Sequence, residues 1–198
     1  MKRKSTKDVI ADTVFDLLQT QKIENITIAQ ITEDADISAR TFYNHFKDKF
    51  DVCNYLYARM LEKDCWYENG KRVTLDKFFD NWCKVFSGPS INFFINTLGY
   101  TGQNSIHSAV VELGTRDLID QLIYTGHKEQ VTPETIDLIE FFMHGLDSFF
   151  TIALMDKNKR NRLESLNKTA TFLPKDLYDA LTAEPIYAPD KPEKNSKK

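Results

Sequence analysis

The sequence has few of the residues that interrupt helices, with seven glycines and six prolines among 198 residues. Almost no stretch alternates apolar with polar residues, so sheet architectures lack their pattern and the chain reads as all-α. Cysteine is scarce as well. Cys53, Cys65 and Cys83 are odd in number and form no C-x-x-C pair, so neither a disulfide framework nor a zinc cluster is indicated. They are expected to be small buried hydrophobes in a reducing compartment. No apolar run approaches the roughly 18 residues that span a bilayer, because the greasiest stretch, 136–155, is interrupted by Asp137, Glu140, His144 and Asp147. The N-terminus Met1-Lys2-Arg3-Lys4-Ser5 leads into polar residues, unlike the apolar core of a secretory signal. The expectation is a cytoplasmic protein without a membrane partner. G-x-S-x-G, P-loop, G-x-G-x-x-G and H-E-x-x-H motifs are all missing, and so is a His-x-x-x-His pair. An enzyme, a cofactor and a metal are therefore not expected. Excess positive charge is lacking too. The net charge of −3 argues against indiscriminate coating of nucleic acid and leaves room for a local basic face.

What is present is helical periodicity. Over 6–21, Ile10, Val14, Leu17 and Leu18 recur at the spacing of an amphipathic helix, with Ala11 and Phe15 beside them. Thr27, with Gln30 three residues on, has the spacing of a capping box and opens a second helix that stops at Asp36. Ser38 caps a third helix over 39–45, and Asp48, with Asp51 after it, starts a longer connecting helix over 48–69 that Gly70 ends. Further helices are predicted over 75–87, 90–98, 104–124, 133–156 and 174–181, with Thr132 capping and Pro133 at the first position of the 133–156 helix. This divides the chain into an N-terminal domain over 1–50, a second helical domain over 71–183, and a tail over 184–198. The tail is rich in proline and lysine, and it is expected to be disordered.

Two short helices joined by a few residues, the second opened by Ser38, form a helix-turn-helix layout, whose second helix enters the DNA major groove. Such a helix needs one face that holds it to its supports, here Ile37, Phe42 and Phe46. Its other face must offer donors, acceptors and positive charge, and Ala39, Arg40, Tyr43, Asn44, His45, Lys47 and Lys49 supply it. Arg pairs bidentately with guanine and Asn with adenine, while Tyr, His and Lys suit phosphate oxygens.

The runs Thr27-Ile28-Ala29-Gln30-Ile31, Ala35-Asp36-Ile37-Ser38 and Thr41-Phe42-Tyr43-Asn44-His45-Phe46-Lys47-Asp48-Lys49 resemble the DNA-binding signature of tetracycline-repressor (TetR) family regulators. The resemblance covers about the first 60 residues. It implies an all-α fold, an N-terminal three-helix head and a C-terminal helical domain for effector binding and dimerisation. It also implies that Thr27, Ser38, Tyr43, His45 and Lys49 contact the DNA backbone, while Ala39, Arg40, Thr41 and Asn44 face bases. The family usually has Gly where this chain has Asp36, a residue that tolerates the left-handed backbone such a turn needs.

Residues 1–50 hold eight Lys/Arg and eight Asp/Glu, so any basic stripe must come from segregation: Lys2, Arg3, Lys4 and Lys7 on one side, Arg40, Lys47 and Lys49 on the other. The basic run over 157–162 reads as a solvated helix end instead of a second DNA site. In the second half Phe78, Trp82, Phe86, Phe93, Tyr100 and Phe142, with His107 and His144, either line a pocket for a small apolar or aromatic effector or form a packed core with a dimer face. The resemblance implies a homodimeric regulator, repressing as a rule, on a palindromic double-stranded operator, with a small molecule shifting the separation of its heads. The alternative is a helical ligand- or protein-binding regulator that no longer reads DNA.

Overall fold

Helix α1 (Thr6–Leu17) begins where the Ser5 hydroxyl accepts the Asp8 amide at 3.1 Å, and it buries Ile10, Ala11 and Val14. It ends before Gln21 because the Gln19 and Thr20 amides bond carbonyls three residues back, tightening the last turn. Next come α2 (Ile28–Asp34), α3 (Ala39–Tyr43) and α4 (Lys49–Met60). Then follow α5 (Leu75–Ser87), α6 (Ile91–Leu98), α7 (Ile106–Tyr124), α8 (Pro133–Met155) and α9 (Lys175–Thr182). This computed structural model describes residues 4–156 and 168–186. The basic run at 157–162 and most of the expected tail lie outside them. Glu184 to Ile186 are described, and the Ile186 amide donates to the Tyr124 carbonyl at 2.8 Å.

The connecting helix expected over 48–69 is shorter. After Met60 the backbone widens into a π-helical turn, Leu61–Cys65, and then forms a small hairpin pairing Tyr67 with Arg72 and Glu68 with Lys71. Asn69 and Gly70 both have positive φ, 53° and 78°, the conformation of a two-residue type I′ hairpin turn. The Asn-Gly pair is therefore a turn between strands and not the end of a helix.

Helix α8 is long and apolar enough, by length and composition only, to cross a membrane, a test that the core helix of a soluble protein also passes. Ile139, Met143, Leu146, Phe150, Ala153 and Leu154 make one buried stripe on it, packed against α6 and α7. One hydrophobic core runs from Ile10 to Leu181, with Phe86 sitting 4.0 Å from the rings of both Phe94 and Phe150.

Candidate nucleic-acid interface

The turn between α2 and α3 is built by hydrogen bonds that the local sequence prescribes. Asp36 adopts φ 51°, its amide donates to the Glu33 carbonyl at 3.1 Å, and the Ile37 amide reaches the Thr32 carbonyl at 3.0 Å. That pair of bonds is a Schellman closure, which leaves the chain free to turn sharply. The Thr27 hydroxyl accepts the Gln30 amide, and the Ser38 hydroxyl accepts the Thr41 amide, each at 3.1 Å. An L-residue carries a steric penalty in the left-handed region that glycine escapes, so Asp36→Gly raises stability by about 0.5–1 kcal/mol, read by chemical denaturation.

Helix α3 sits on its predicted supports. Phe42 is fully buried, and Phe46 packs 6.1 Å from it and 5.6 Å from the Tyr55 ring on α4, while Ile37 is half-buried against the same core. Thr27, Ser38, Ala39, Arg40, Tyr43, Asn44, His45 and Lys47 are exposed, Tyr43 at 59%. Thr41 is half-buried, with its hydroxyl 2.9 Å from that of Ser38.

Lys49 stands apart from this face. Its ammonium donates to the carbonyls of Glu24 at 2.9 Å and Ile26 at 2.7 Å, and burial lowers its pKa. It clamps the turn that leads into α2. Lys4 pairs with Asp12 of α1 at 2.8 Å, and Lys7 reaches across to α4, where it lies 4.4 Å from the Tyr55 ring centre. Arg59 reinforces the packing of α4 on α1, reaching Asp12 at 2.6 Å. Sequence reasoning could not separate these engaged cations from the free ones, because their partners lie in other elements.

The head is joined to the rest of the chain by specific contacts. Phe50 on α4 stacks on Tyr100 at 4.5 Å, and the Asn104 amide donates to the Asp48 carboxylate at 3.0 Å. Asn96 on α6 donates to the Leu18 carbonyl at 2.9 Å. Behind them, His107 on α7 has Nδ1 at 2.9 Å from Asp147 on α8 and Nε2 at 3.0 Å from the Leu98 carbonyl. Both ring nitrogens face acceptors, and only the imidazolium donates to both. The hydrogen bond to Asp147 accordingly raises the pKa of His107 above the ordinary imidazole value. A raised value means that the pairing stabilises fully below the unfolded imidazole pKa of about 6.5 and is lost as pH rises through the folded value. The melting temperature of the wild type is therefore expected to fall more than that of His107→Gln between about pH 6 and pH 9. Parallel curves would contradict this.

No family model matches the chain. HTH-type transcriptional regulators of Staphylococcus aureus strains USA300 and NCTC 8325 are each 34% identical to it over 59 residues, 30% of this chain. The chain spans about a third of the length of these curated relatives, 32%. Among solved structures, the dihydroxyacetone kinase operon activator DhaS is similar with a TM-score of 0.53 at 16% identity, covering 89% of this chain and 96% of that one. A TetR family transcription regulator from Shewanella sp. PV-4 matches with a TM-score of 0.51 at 15% identity, over 91% of this chain and all of that one. The chain has the TetR fold. The proteins that the TetR-fold chain is similar to are named as regulators of transcription, not as enzymes.

The TetR-fold body disperses the residues nominated for an effector pocket. Phe78 and Trp82 line an internal cavity of about 20 Å³ between α4, α5, α7 and α8. Phe86 and Phe93 are buried in the ring-packed core, Tyr100 is committed to Phe50, and His107 to Asp147. Phe142 lines a cleft of about 340 Å³ on the other side of α8, and His144 an open groove beside α7. The cavity's other walls include Tyr57, Trp66, Asp117 and Met143, none of which the sequence reading named for a pocket. Aromatic content identified the helices involved and could not say which faces meet.

Proposed function

We propose that the chain is a cytoplasmic transcription regulator that binds a pseudo-palindromic operator as a homodimer, and that a small molecule held in its body alters the spacing of the two heads. The observation that carries this reading is the two-faced segment formed by α3 and the turn after it. Phe42 and Phe46 anchor one side, and Arg40, Tyr43, Asn44, His45 and Lys47 stand free on the other. In this reading Arg40 and Asn44, with Ala39 and Thr41, face base edges. Tyr43, His45, Ser38 and Thr27 take phosphates, and Lys49 acts mainly by holding the entry to α2. The chemistry is recognition and linkage: an effector that prefers one head separation shifts the DNA affinity by its differential binding energy. The reading favours repression, although DhaS is named an activator.

A second apolar stripe on α8 supports the homodimer. Leu138, Phe142, Gly145 and Phe149 follow one another at helical spacing, with Phe141 beside them at 78% exposure and Phe172 across the cleft at 80%. Nothing lies within 4 Å of where a Cβ on Gly145 would sit, which leaves room for close approach of a partner helix. A helix that is apolar on two sides calls for two burial surfaces. Phe141→Asp is therefore expected to convert a dimeric wild type into monomers in sedimentation velocity; a wild type that is already monomeric would contradict the proposed interface.

The test of the proposal as a whole is selection of tight-binding sequences from random duplex DNA by the purified chain. An inverted repeat is expected, with half-sites one helical turn of about 10 base pairs apart or a multiple of it. Enrichment of single half-sites only would remove the dimer from the account, and no enrichment would remove DNA reading.

A further inference from the structure

Residues 99–105, between α6 and α7, carry two of the contacts that hold the head. Tyr100 stacks on Phe50, and the Asn104 amide donates to one oxygen of the Asp48 carboxylate, whose other oxygen caps α4 by accepting the Asp51 amide at 2.8 Å. Asp48 follows Lys47 directly, so the loop reaches the end of the DNA-facing segment. The Tyr100 hydroxyl donates to the Gln103 carbonyl at 3.3 Å, and Asn104 has φ 62°, which folds the loop back on itself. His107 closes this loop at its base. Its Nε2 lies 3.0 Å from the Leu98 carbonyl, at the end of α6 where a helix leaves carbonyls without amide partners. Its Nδ1 lies 3.0 and 2.9 Å from the two carboxylate oxygens of Asp147. One side chain thus ties the end of α6, the start of α7 and the face of α8 together.

We propose that His107 is a proton-operated clasp: when protonated it fixes the 99–105 loop and with it the head, so that the chain binds its operator more tightly at low pH than at high pH. The proposal rests on the DNA reading above and adds the proton as a ligand of the body. The imidazolium offers two N–H groups to two acceptors, whereas neutral imidazole has one N–H and one lone pair. Whichever tautomer forms, deprotonation turns that lone pair toward an oxygen, and the two repel. The loop then loses its base, and the contacts of Tyr100 and Asn104 hold a less ordered head. A head that is already ordered loses less conformational entropy on meeting DNA, which gives the protonated state the higher affinity. Among the described residues, the groups that act on His107 are Asp147 of α8 and the Leu98 carbonyl of α6. From α4 the buried Tyr57 lies near Asp147, and burial keeps its phenol un-ionised, with Asp147 adding to that. The side chains of His107 and Asp147 are 20% and 14% exposed, which lets the proton exchange with solvent. The hydrogen bond to Asp147 raises the pKa of His107, so the clasp is fully formed below the unfolded imidazole value of about 6.5 and opens as pH rises through the folded value.

The experiment measures the affinity of the full chain for its selected inverted repeat between about pH 6 and pH 9 at fixed ionic strength. All proteins carry His45→Gln, because His45 stands on the DNA-facing side and its own titration would act with the same sign. Affinity is expected to fall about fivefold or more over this range. Adding His107→Gln, which cannot titrate, is expected to flatten the profile. Adding Asp147→Asn, which keeps the shape and removes the charge, is expected to move the fall to lower pH. Linkage also requires the converse, so His107, followed by nuclear magnetic resonance, is expected to titrate at higher pH on the duplex than free. A flat profile with His107 intact, tighter binding at high pH, a fall that survives His107→Gln, or one that Asp147→Asn leaves in place would each overturn the clasp while leaving DNA reading intact. Failure to bind duplex at every pH would overturn DNA reading, and the clasp's effect on it as well.

Discussion

Phe46→Ala is expected to destabilise the head by about 3–5 kcal/mol, the cost of emptying a large aromatic site in a packed core. Phe46 is 3% exposed and lies between Phe42 and Tyr55, with the Lys7 ammonium 5.2 Å from its ring centre. No backbone hydrogen bond is changed by the substitution, so the loss measures packing. A native domain is stable by only about 5–15 kcal/mol, and a loss of this size would leave α3 without a fixed platform at physiological temperature. Chemical denaturation followed by circular dichroism reads the effect. An unchanged midpoint would mean that α3 is turned the other way, with Phe46 toward solvent and its polar residues inward.

The second large effect falls on binding alone. Arg40→Ala combined with Asn44→Ala is expected to remove about 2–6 kcal/mol from specific DNA affinity, as each bidentate base contact contributes about 1–3 kcal/mol of discrimination. Both side chains are exposed, and alanine is favoured in a helix, so the unfolding midpoint should not fall. The two predictions separate the two sides of α3 and the turn that follows it: one substitution unfolds the segment, and the other leaves it folded but unable to read. A double variant that binds its duplex as the wild type does would assign recognition to another element. Loss of stability without loss of binding would exchange the roles of the two faces.

The parts of the structure that were legible in the sequence are those fixed by neighbours along the chain. Thr27 with Gln30, Ser38 with Thr41 and Asp48 with Asp51 are caps in which a side chain meets an amide three residues on, so spacing alone specifies them. The left-handed Asp36 was legible for the same reason, since the turn geometry is local. The Asn69-Gly70 hairpin carried a local signal too, but its strands are two residues long and show no alternation, which let the helical pattern on either side dominate the reading. Features that depend on distant segments were not legible. Lys49 looks like a surface cation until its ammonium is seen on carbonyls of residues 24 and 26. Asp117 looks like one of several carboxylates on α7 until the fold sets it against Trp66 in an aromatic cavity. Paired phenylalanines mislead in a similar way. Phe93 and Phe94 both pack into the core, whereas Phe141 stands in solvent next to a half-buried Phe142.

The central claim is that α3 and its surroundings bind duplex DNA through phosphates as well as bases, and the salt dependence of binding tests it most directly. Each phosphate neutralised by a lysine or arginine releases condensed counterions, so log affinity should fall linearly with log salt by about 0.9 per such contact for duplex DNA. Two heads that each set the exposed Lys47 against a phosphate would give a falling line on the selected inverted repeat, and Lys47→Ala would make it shallower, whereas the uncharged Tyr43→Ala would weaken binding without altering the slope. A slope near zero, or no duplex bound at any salt, would contradict the account and leave a helical ligand- or protein-binding regulator that does not read DNA.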